Sequence, residues 1–197
     1  MKKILYLMRH GQTLFNARRK VQGWCDSPLT KIGIGQAIIA GEYFKRNNIT
    51  FDYAYSSTSE RACDTLEYVC DMPYERVKGL KEWNFGVFEG ESEDLNPPLP
   101  YGDFFVKYGG ENQVELQKRI SETLYSIMKK DSHNTVLAVS HGASCRNFMR
   151  CWAHTSDVDQ KEPLGNCCIL KFEFEDDEFK LIEIINHDFT KLFSEKI

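Results

Sequence analysis

The sequence has no excess of positive charge and no long hydrophobic run. Its 25 lysines and arginines are outnumbered by 29 aspartates and glutamates, which leaves a formal net charge of −4. This balance gives no general reason to expect a nucleic-acid partner, although a local basic pocket can still bind a small anion. The apolar run after Lys2 and Lys3 is too short to cross a bilayer or to form a signal peptide. We therefore expect a cytoplasmic protein with neither a nucleic-acid nor a membrane partner.

Paired cysteine motifs are absent as well. The chain has seven cysteines, an odd number, and no two of them are spaced as Cys-x-x-Cys. The neighbours Cys167 and Cys168 would point to opposite faces of a strand. These features argue against a disulfide framework or a zinc knuckle, and they favour buried thiols in a reducing compartment. No cysteine lies in a recognisable nucleophile turn, and the role of the cysteines stays open.

The chain has no internal repeat and no low-complexity linker, so we predict one domain over residues 1–197. Glycines and prolines interrupt every periodic pattern between about residues 84 and 110. A segment of this kind inside a compact domain is often a lid or a specificity loop.

Apolar runs and helical periodicities alternate along the rest of the chain. A buried strand is predicted to end at Arg9. A capping box formed by Ser57 and Glu60 indicates the start of a helix. A helix is predicted from Thr30 to Asn47, with a buried face at Ile34, Ala37, Ile38 and Gly41. The other predicted elements are a β-rich run at 51–55, a short strand within 77–83, a helix over 112–130, a strand over 135–140, a helix over 143–152 and a hairpin of residues 167–174 and 178–185.

Two of the predicted strands end in histidine followed by glycine. His10 and Gly11 follow Arg9, and His141 and Gly142 follow the strand at 135–140. The carboxyl ends of parallel strands meet at one edge of a sheet, where open α/β folds place their chemistry. Arg61 lies in the first turn of a predicted helix, where anions are favoured. The alternatives are a strand that merely ends in basic residues and an ordinary solvated arginine.

Two imidazoles and two guanidinium groups in one place would form a strong site for a tetrahedral dianion. A metal site is the alternative, but Arg9 would oppose a divalent cation and no His-x-x-x-His or His-Glu-x-x-His spacing is present. We therefore expect no metal and no cofactor. The other histidines are predicted to lie at the surface: His133, His154 and His187.

Five ordered blocks between residues 4 and 142 resemble the signature of the histidine phosphatase superfamily, in its phosphoglycerate mutase-like branch. The blocks are Leu7–Thr13 with Asn16, the stretch 23–37, the stretch 55–65, the stretch 80–90, and Val139 to Gly142. Residues after Trp152 carry little family signal. We therefore expect a three-layer α/β/α sandwich with a mostly parallel central sheet, in which the first strand and the strand at 135–140 lie near the centre.

The resemblance implies a role for each residue at the two strand ends. His10 would be the nucleophile that forms a phosphohistidine. It must be neutral to attack, with its other ring nitrogen donating to a backbone carbonyl. Arg9, Arg61 and His141 would hold the phosphoryl oxygens, and the backbone N–H of Gly142 would add to this cradle.

The family pattern also selects Glu82 as the general acid and later the general base. Glu89 would brace the loop instead. A bound phosphate dianion is expected to favour the protonated form of Glu82 for the first step. Asn16, Gln22 and Gly23 correspond to positions that line the phosphate and substrate pocket.

We predict a phosphomonoester hydrolase that acts on a small phosphorylated metabolite. A cofactor-dependent phosphoglycerate mutase is the alternative, but the basic insertion that the resemblance would require of a mutase is missing. Residues 91–110 contain several acidic side chains and only Lys107 as a cation. A phosphate-binding protein without catalysis is disfavoured because His10, Glu82 and His141 are all present. The organic part of the substrate and the oligomeric state stay open.

Overall fold

A six-stranded sheet runs through the computed structural model, which describes residues 2–194. Its strands are β1 (Lys3–Arg9), β2 (Tyr53–Ser57), β3 (Tyr74–Val77), β4 (Thr135–Ser140), β5 (Ile169–Glu175) and β6 (Glu178–Ile185). They lie in the order β3-β2-β4-β1-β5-β6, with β3, β2, β4 and β1 parallel and the β5–β6 hairpin antiparallel. The mostly parallel sheet is confirmed, as is the central position of β1 and β4.

Helices cover both faces of this sheet. They are α1 (Leu14–Ala17), α2 (Lys31–Arg46), α3 (Glu60–Val69), α4 (Gln113–Met128), α5 (Gly142–Cys151) and α6 (Thr190–Ser194). Alternate side chains of β1 point to opposite faces: Leu5 and Leu7 pack with α4 and α5, whereas Tyr6 and Met8 pack with α2 and α3. The predicted three-layer arrangement is therefore confirmed. No helix within residues 2–194 is both long and apolar enough to cross a membrane.

Three details of the predicted elements are wrong. Ile38 was placed on the buried face of α2 but is 44% exposed. The strand expected within 77–83 instead ends at Val77, because residues 74–77 pair with β2. His133, expected at the surface, is only 3% exposed. Its Nε2 lies 2.6 Å from the Tyr55 hydroxyl and its ring stacks on that of Tyr53, so tertiary partners in β2 account for its burial.

The predicted capping box of Ser57 and Glu60 is also wrong. Ser57 is the last residue of β2, and the N-cap of α3 is Ser59, whose side chain makes no capping hydrogen bond. The Ser57 hydroxyl lies instead 2.7 Å from Nε2 of His141. This hydroxyl therefore belongs to the edge of the sheet where the two predicted histidines meet.

Residues 84–110 form single 3-10 turns rather than longer elements, as the glycines and prolines predict. The segment nevertheless has its own small core, in which Phe105 is fully buried against Trp83, Phe85, Val21 and Leu116. This core fastens the segment to the start of α4.

Two glycines let the start of α2 touch the loop that follows β1. A Cβ atom on Gly33 would lie 2.0 Å from the backbone oxygen of Gln12, and one on Gly11 would lie 2.5 Å from the oxygen of Gly33. Any side chain at either position would force two backbone segments apart. The close approach fixes the loop immediately after His10.

We expect Gly33→Ala to lower the free energy of unfolding by on the order of 1–3 kcal/mol, because the clash is with backbone and outweighs the better helix propensity of alanine. Gly35→Ala in the same helix is the matched control, since its Cβ would meet only the side chain of Leu192. Urea unfolding of both variants measures the difference. Equal stability of the two variants would contradict the role given to this contact.

Candidate active site

The ends of β1 and β4 bring the two predicted histidines together. Arg9 and Ser140 are register partners in the parallel pair, and the His10 N–H donates to the Ser140 carbonyl at 3.0 Å. The rings of His10 and His141 have centroids 5.3 Å apart, and both side chains are buried. Adjacent parallel strands thus place both imidazoles at one sheet edge, as expected.

His10 has a fixed tautomer and no charge at neutral pH. Its Nδ1 lies 2.7 Å from the Gly11 carbonyl oxygen; since a carbonyl can only accept, Nδ1 carries the proton. The other nitrogen, Nε2, accepts from Arg61 Nε at 3.3 Å. Burial lowers the pKa of His10 well below 6.5, and the nearby guanidinium groups of Arg61 and Arg9 lower it further. The imidazole therefore presents an unprotonated Nε2.

Arg61 is completely buried, so its alternative interpretation as a solvated surface arginine is wrong. Its Nη2 donates to the Gly23 carbonyl at 2.7 Å, and its Nη1 donates to the Cys25 carbonyl at 2.9 Å and to Asp26 Oδ1 at 2.8 Å. These acceptors come from the loop between α1 and α2. They hold the guanidinium plane against His10.

Gln22 connects Arg61 to the loop after β1. Its amide is satisfied when the oxygen faces Arg61: the oxygen then accepts from Arg61 Nε at 3.0 Å, and the nitrogen donates to Thr13 Oγ1 at 2.7 Å. The Arg61 Nε–H is thus shared between Gln22 and His10. Asn16 lies beside them and accepts from the Thr13 N–H at 3.2 Å.

Glu89 braces the loop that holds Arg61, as predicted. Its carboxylate accepts from the backbone N–H groups of Gly23, Trp24 and Cys25 at 2.7–3.0 Å, and from that of Phe85 at 3.1 Å. A Cβ on Gly23 would lie 2.1 Å from the Trp83 carbonyl oxygen. Glycine is therefore required for this loop to reach both Glu89 and Arg61.

Glu82 is held at the amino end of α5. Its carboxylate accepts from the Ala143 and Ser144 N–H groups, each at 2.8 Å, from the Trp83 N–H at 2.9 Å and from Ser144 Oγ at 3.1 Å. The first turn of a helix favours a negative charge. These contacts fix the carboxyl group next to Gly142, on the wall of the cleft that contains His10.

Arg9 and His141 each have a buried nitrogen that makes no hydrogen bond within residues 2–194: Nε of Arg9 and Nδ1 of His141. Arg9 Nη1 donates to the Leu164 carbonyl at 2.6 Å, which orients the guanidinium. A Cβ on Gly142 would lie 3.2 Å from Arg9 Nε. The Arg9 guanidinium thus lies directly over the start of α5.

The cleft above these residues has a volume of about 600 Å³. The predicted site residues that line it are Arg9, His10, Asn16, Gln22, Glu82 and Gly142. Arg61, His141 and Gly23 are not among the lining residues, but Arg61 contacts His10 Nε2 and the His141 ring lies beside that of His10. Within residues 2–194, no group of three or more His, Cys, Asp and Glu side chains is arranged to hold a metal ion.

Several cleft residues lie in parts of the chain that the sequence patterns did not single out. They are Lys20, Gln113, Arg146, Asn147, Arg150, Lys161 and Leu164, among others. Asn166 also reaches the site, since its Nδ2 donates to the His10 carbonyl at 3.1 Å. A four-residue spacing between Arg146 and Arg150 on one helix was the only available signal, because the other contacts are long-range.

Comparisons with known proteins match most of this chain. The model of the histidine phosphatase superfamily (branch 1) matches residues 5–187. A 2,3-bisphosphoglycerate-dependent phosphoglycerate mutase of Buchnera aphidicola is 36% identical over 126 residues, which are 61% of this chain and about half (51%) of that protein.

Solved structures match over nearly the whole chain. Phosphoglycerate mutase from Bacillus anthracis has a TM-score of 0.80 at 28% identity, covering 93% of this chain and 92% of that one. Phosphoserine phosphatase from Entamoeba histolytica, in complex with 3-phosphoglyceric acid, has a TM-score of 0.77 at 29% identity, covering 95% and 98%. Both kinds of enzyme therefore share this fold.

The buried neutral histidines make stability depend on pH. The pKa of His141, like that of His10, lies well below 6.5. Burial is the main cause, and the positive charge of Arg61 lowers both pKa values further. In the unfolded chain both take up a proton near pH 6.5, so stability is lost as the pH falls. Between pH 7.5 and 5.5 we expect a loss on the order of 1 kcal/mol for each of the two.

Urea unfolding of the wild type and of His10→Asn at both pH values measures this dependence. The variant is expected to lose on the order of 1 kcal/mol less than the wild type on acidification. His154→Asn, at an exposed histidine, is the control and should keep the wild-type loss. An identical loss in the wild type and His10→Asn would show that His10 is not held neutral by the fold.

Proposed function

Because this chain belongs to the histidine phosphatase superfamily, and is therefore an enzyme, we propose that it hydrolyses small phosphomonoesters through a phosphohistidine on His10. One observation carries the proposal: a buried, neutral imidazole with Nδ1 tied to the Gly11 carbonyl and Nε2 directed at Arg61. A neutral Nε2 beside a guanidinium that can hold a phosphoryl oxygen is the arrangement that nucleophilic attack on phosphorus requires.

In the first step, the electron pair of Nε2 forms the N–P bond while the P–O bond to the organic group breaks. Arg61 must release its hydrogen bond to Nε2 as this happens. Gln22 eases the release, because its amide oxygen already accepts from the same Arg61 N–H at 3.0 Å. Arg9, Arg61 and His141 then face the equatorial phosphoryl oxygens and stabilise the charge that develops on them.

The imidazole becomes positively charged when it is phosphorylated. Its Nδ1–H donates to the Gly11 carbonyl throughout, and this bond strengthens as the ring gains charge. The Gly11 carbonyl is itself fixed, because the Gly11 N–H donates to Thr65 Oγ1 at 3.0 Å and Thr65 is part of α3. The fold thus stabilises the intermediate at a position remote from the phosphorus.

Glu82 is the only cleft carboxyl group held by the amino end of α5 among the described residues, and we assign it the proton transfers. In the first step its carboxyl group gives a proton to the leaving alkoxide as the P–O bond breaks. The resulting carboxylate then takes a proton from water. The water oxygen attacks phosphorus, the N–P bond breaks, and inorganic phosphate and neutral His10 remain.

Relatives support a small phosphorylated substrate without deciding which one. The Entamoeba histolytica enzyme is a phosphoserine phosphatase whose structure contains 3-phosphoglyceric acid, and other relatives are phosphoglycerate mutases. Transfer to a second hydroxyl, as in a mutase, is the second candidate function. Basic residues on one wall of the cleft, such as Arg146 and Arg150, are the observation that favours it.

We expect His10→Ala to abolish turnover of p-nitrophenyl phosphate and 3-phosphoglycerate, because it removes the imidazole to which we assign the N–P bond. His154→Ala is the matched control and should turn over both substrates like the wild type. Release of inorganic phosphate measures hydrolysis, and formation of 2-phosphoglycerate measures mutase activity. Full activity of His10→Ala would refute the nucleophile, and isomerisation without phosphate release would replace hydrolysis by the second candidate.

Glu82→Gln is expected to lower kcat by about 10²- to 10⁴-fold, the usual contribution of a general acid–base group. The loss of kcat/KM, which reports phosphoryl transfer to His10, should be smaller for p-nitrophenyl phosphate than for an alkyl phosphate, because nitrophenolate leaves without a proton. Glu93→Gln removes another carboxyl group from the cleft wall and is the control. An equal loss for both substrates would mean that Glu82 serves only to hold α5 in place.

A further inference from the structure

One face of α5 forms a floor of the cleft. Gly142, Arg146 and Arg150 follow each other at four-residue intervals, and all three line the cavity. Residues with this spacing lie above one another on a helix, and each interval advances about 6 Å along the axis. Gly142 lies at the phosphoryl end of the cleft. Arg146 and Arg150 therefore form a row of positive charge that extends to about 12 Å from Gly142 along α5.

Arg146 also fixes the segment that carries a third cation of the cleft, Lys161. Its Nη1 donates to the Gln160 carbonyl at 3.0 Å and its Nη2 to the Glu162 carbonyl at 2.9 Å. The residue between these two carbonyls is Lys161, which also lines the cleft. Arg146 is thus a positioning residue, because it fixes the backbone on both sides of Lys161 at the cleft that Arg150 also lines.

No carboxylate within residues 2–194 forms an ion pair with Arg146, Arg150 or Lys161. The Asp159 carboxylate accepts from the Lys161 backbone N–H at 3.0 Å. The pKa of Arg146 is lowered by burial and by the nearby guanidinium groups of Arg150 and Arg9, so the charges along the row act on one another. A row of like charges on a cavity wall is compensated when an anion binds.

The opposite wall does not provide the balance. Glu93 lines it, but its carboxylate lies 3.9 Å from Nε of the exposed Arg19. Lys20 also lines that wall and donates to the Gly90 carbonyl at 2.9 Å. The acidic residues within 91–110 therefore leave the α5 wall of the cleft positively charged.

We propose that Arg150 and Lys161 bind a second anionic group of the substrate, remote from the phosphoryl group that is transferred. The substrate class is then a phosphomonoester with a carboxylate or a further phosphoryl group at its other end. This inference rests on the proposed function, since it takes the Arg9–His10 end as the site of phosphoryl transfer. A guanidinium fork matches carboxylate and phosphate oxygens equally well, and an ammonium group supplements either.

Matched substrate pairs test this assignment. In each pair, only one member has the second anion: 3-phosphoglycerate against glycerol 3-phosphate for a carboxylate, and fructose 1,6-bisphosphate against fructose 6-phosphate for a phosphoryl group. We expect Arg150→Gln and Lys161→Gln each to lower kcat/KM about tenfold for the member of the preferred pair that has the second anion. The kcat/KM of the member without it should stay unchanged. The pair that responds identifies the second anion.

Three controls separate recognition from structure. Lys45→Gln, at an exposed cation on α2 outside the cleft, should have no effect on either member. Arg150→Lys should recover most of the preference. Salt should weaken the preference in the wild type more than in Arg150→Gln, because rim charges are screened. Loss of kcat/KM for both members of a pair, or for neither, would overturn the proposal.

Binding distinguishes this proposal from the proposed function. Titration calorimetry on His10→Ala measures affinity without turnover, so it applies even if the wild type hydrolyses none of these compounds. In one pair, we expect the member with the second anion to bind about tenfold more tightly than the member without it. Arg150→Gln in the same background should remove this difference. Equal affinities for both members of both pairs would refute the second anion site, whatever the chemistry at His10.

Discussion

The hydrogen bond from His10 Nδ1 to the Gly11 carbonyl is the interaction on which the rest of the site depends. It selects the tautomer, directs the unprotonated Nε2 at Arg61 and offers an acceptor for the charge of a phosphorylated ring. The bond exists because Gly11 is fixed from two sides. Its N–H donates to Thr65 of α3, and the absence of a side chain lets the start of α2 approach to contact distance. Both helices on this face of the sheet therefore act on one carbonyl group.

Positive charge is the second constraint. Arg61 is fully buried, yet three of its acceptors are backbone carbonyls or an amide and only Asp26 carries a charge. The site therefore keeps most of its positive charge, which attracts a dianion and adds to burial, the larger cause, in keeping both histidines neutral. Glu82 lies on the same cleft wall, where N–H groups of α5 and Trp83 hold its carboxyl group and no arginine pairs with it among the described residues. The same helix carries the positive row further from the phosphoryl end, which would orient an elongated substrate along α5.

Sequence patterns correctly predicted the features that depend on residues close together in the chain or on regular strand pairing. The strand over 135–140, the cap at Thr30 and the meeting of two His-Gly strand ends follow from periodicity and from parallel pairing, and the structure contains all three. Sequence patterns gave wrong predictions where a residue far away in the sequence determines the contacts of a side chain. Ser57 has the local signature of a helix cap, but His141, 84 residues away, is its partner. His133 is polar and lies near a turn, but Tyr55 accounts for its burial. Leu164 and Asn166 hold Arg9 and the His10 carbonyl through backbone and amide contacts that no motif records.

The position of the phosphoryl group on His10 tests the central claim most directly. Wild-type protein is mixed with substrate, quenched in alkali within milliseconds, and the phosphorylated peptide is examined by ³¹P and ¹H NMR. Since Nδ1 is occupied by the Gly11 carbonyl, the phosphoryl group is predicted on Nε2 of His10, in an adduct that is stable in base and labile in acid. Phosphate on Nδ1, on His141 or on a serine would contradict the account, as would an adduct that survives acid.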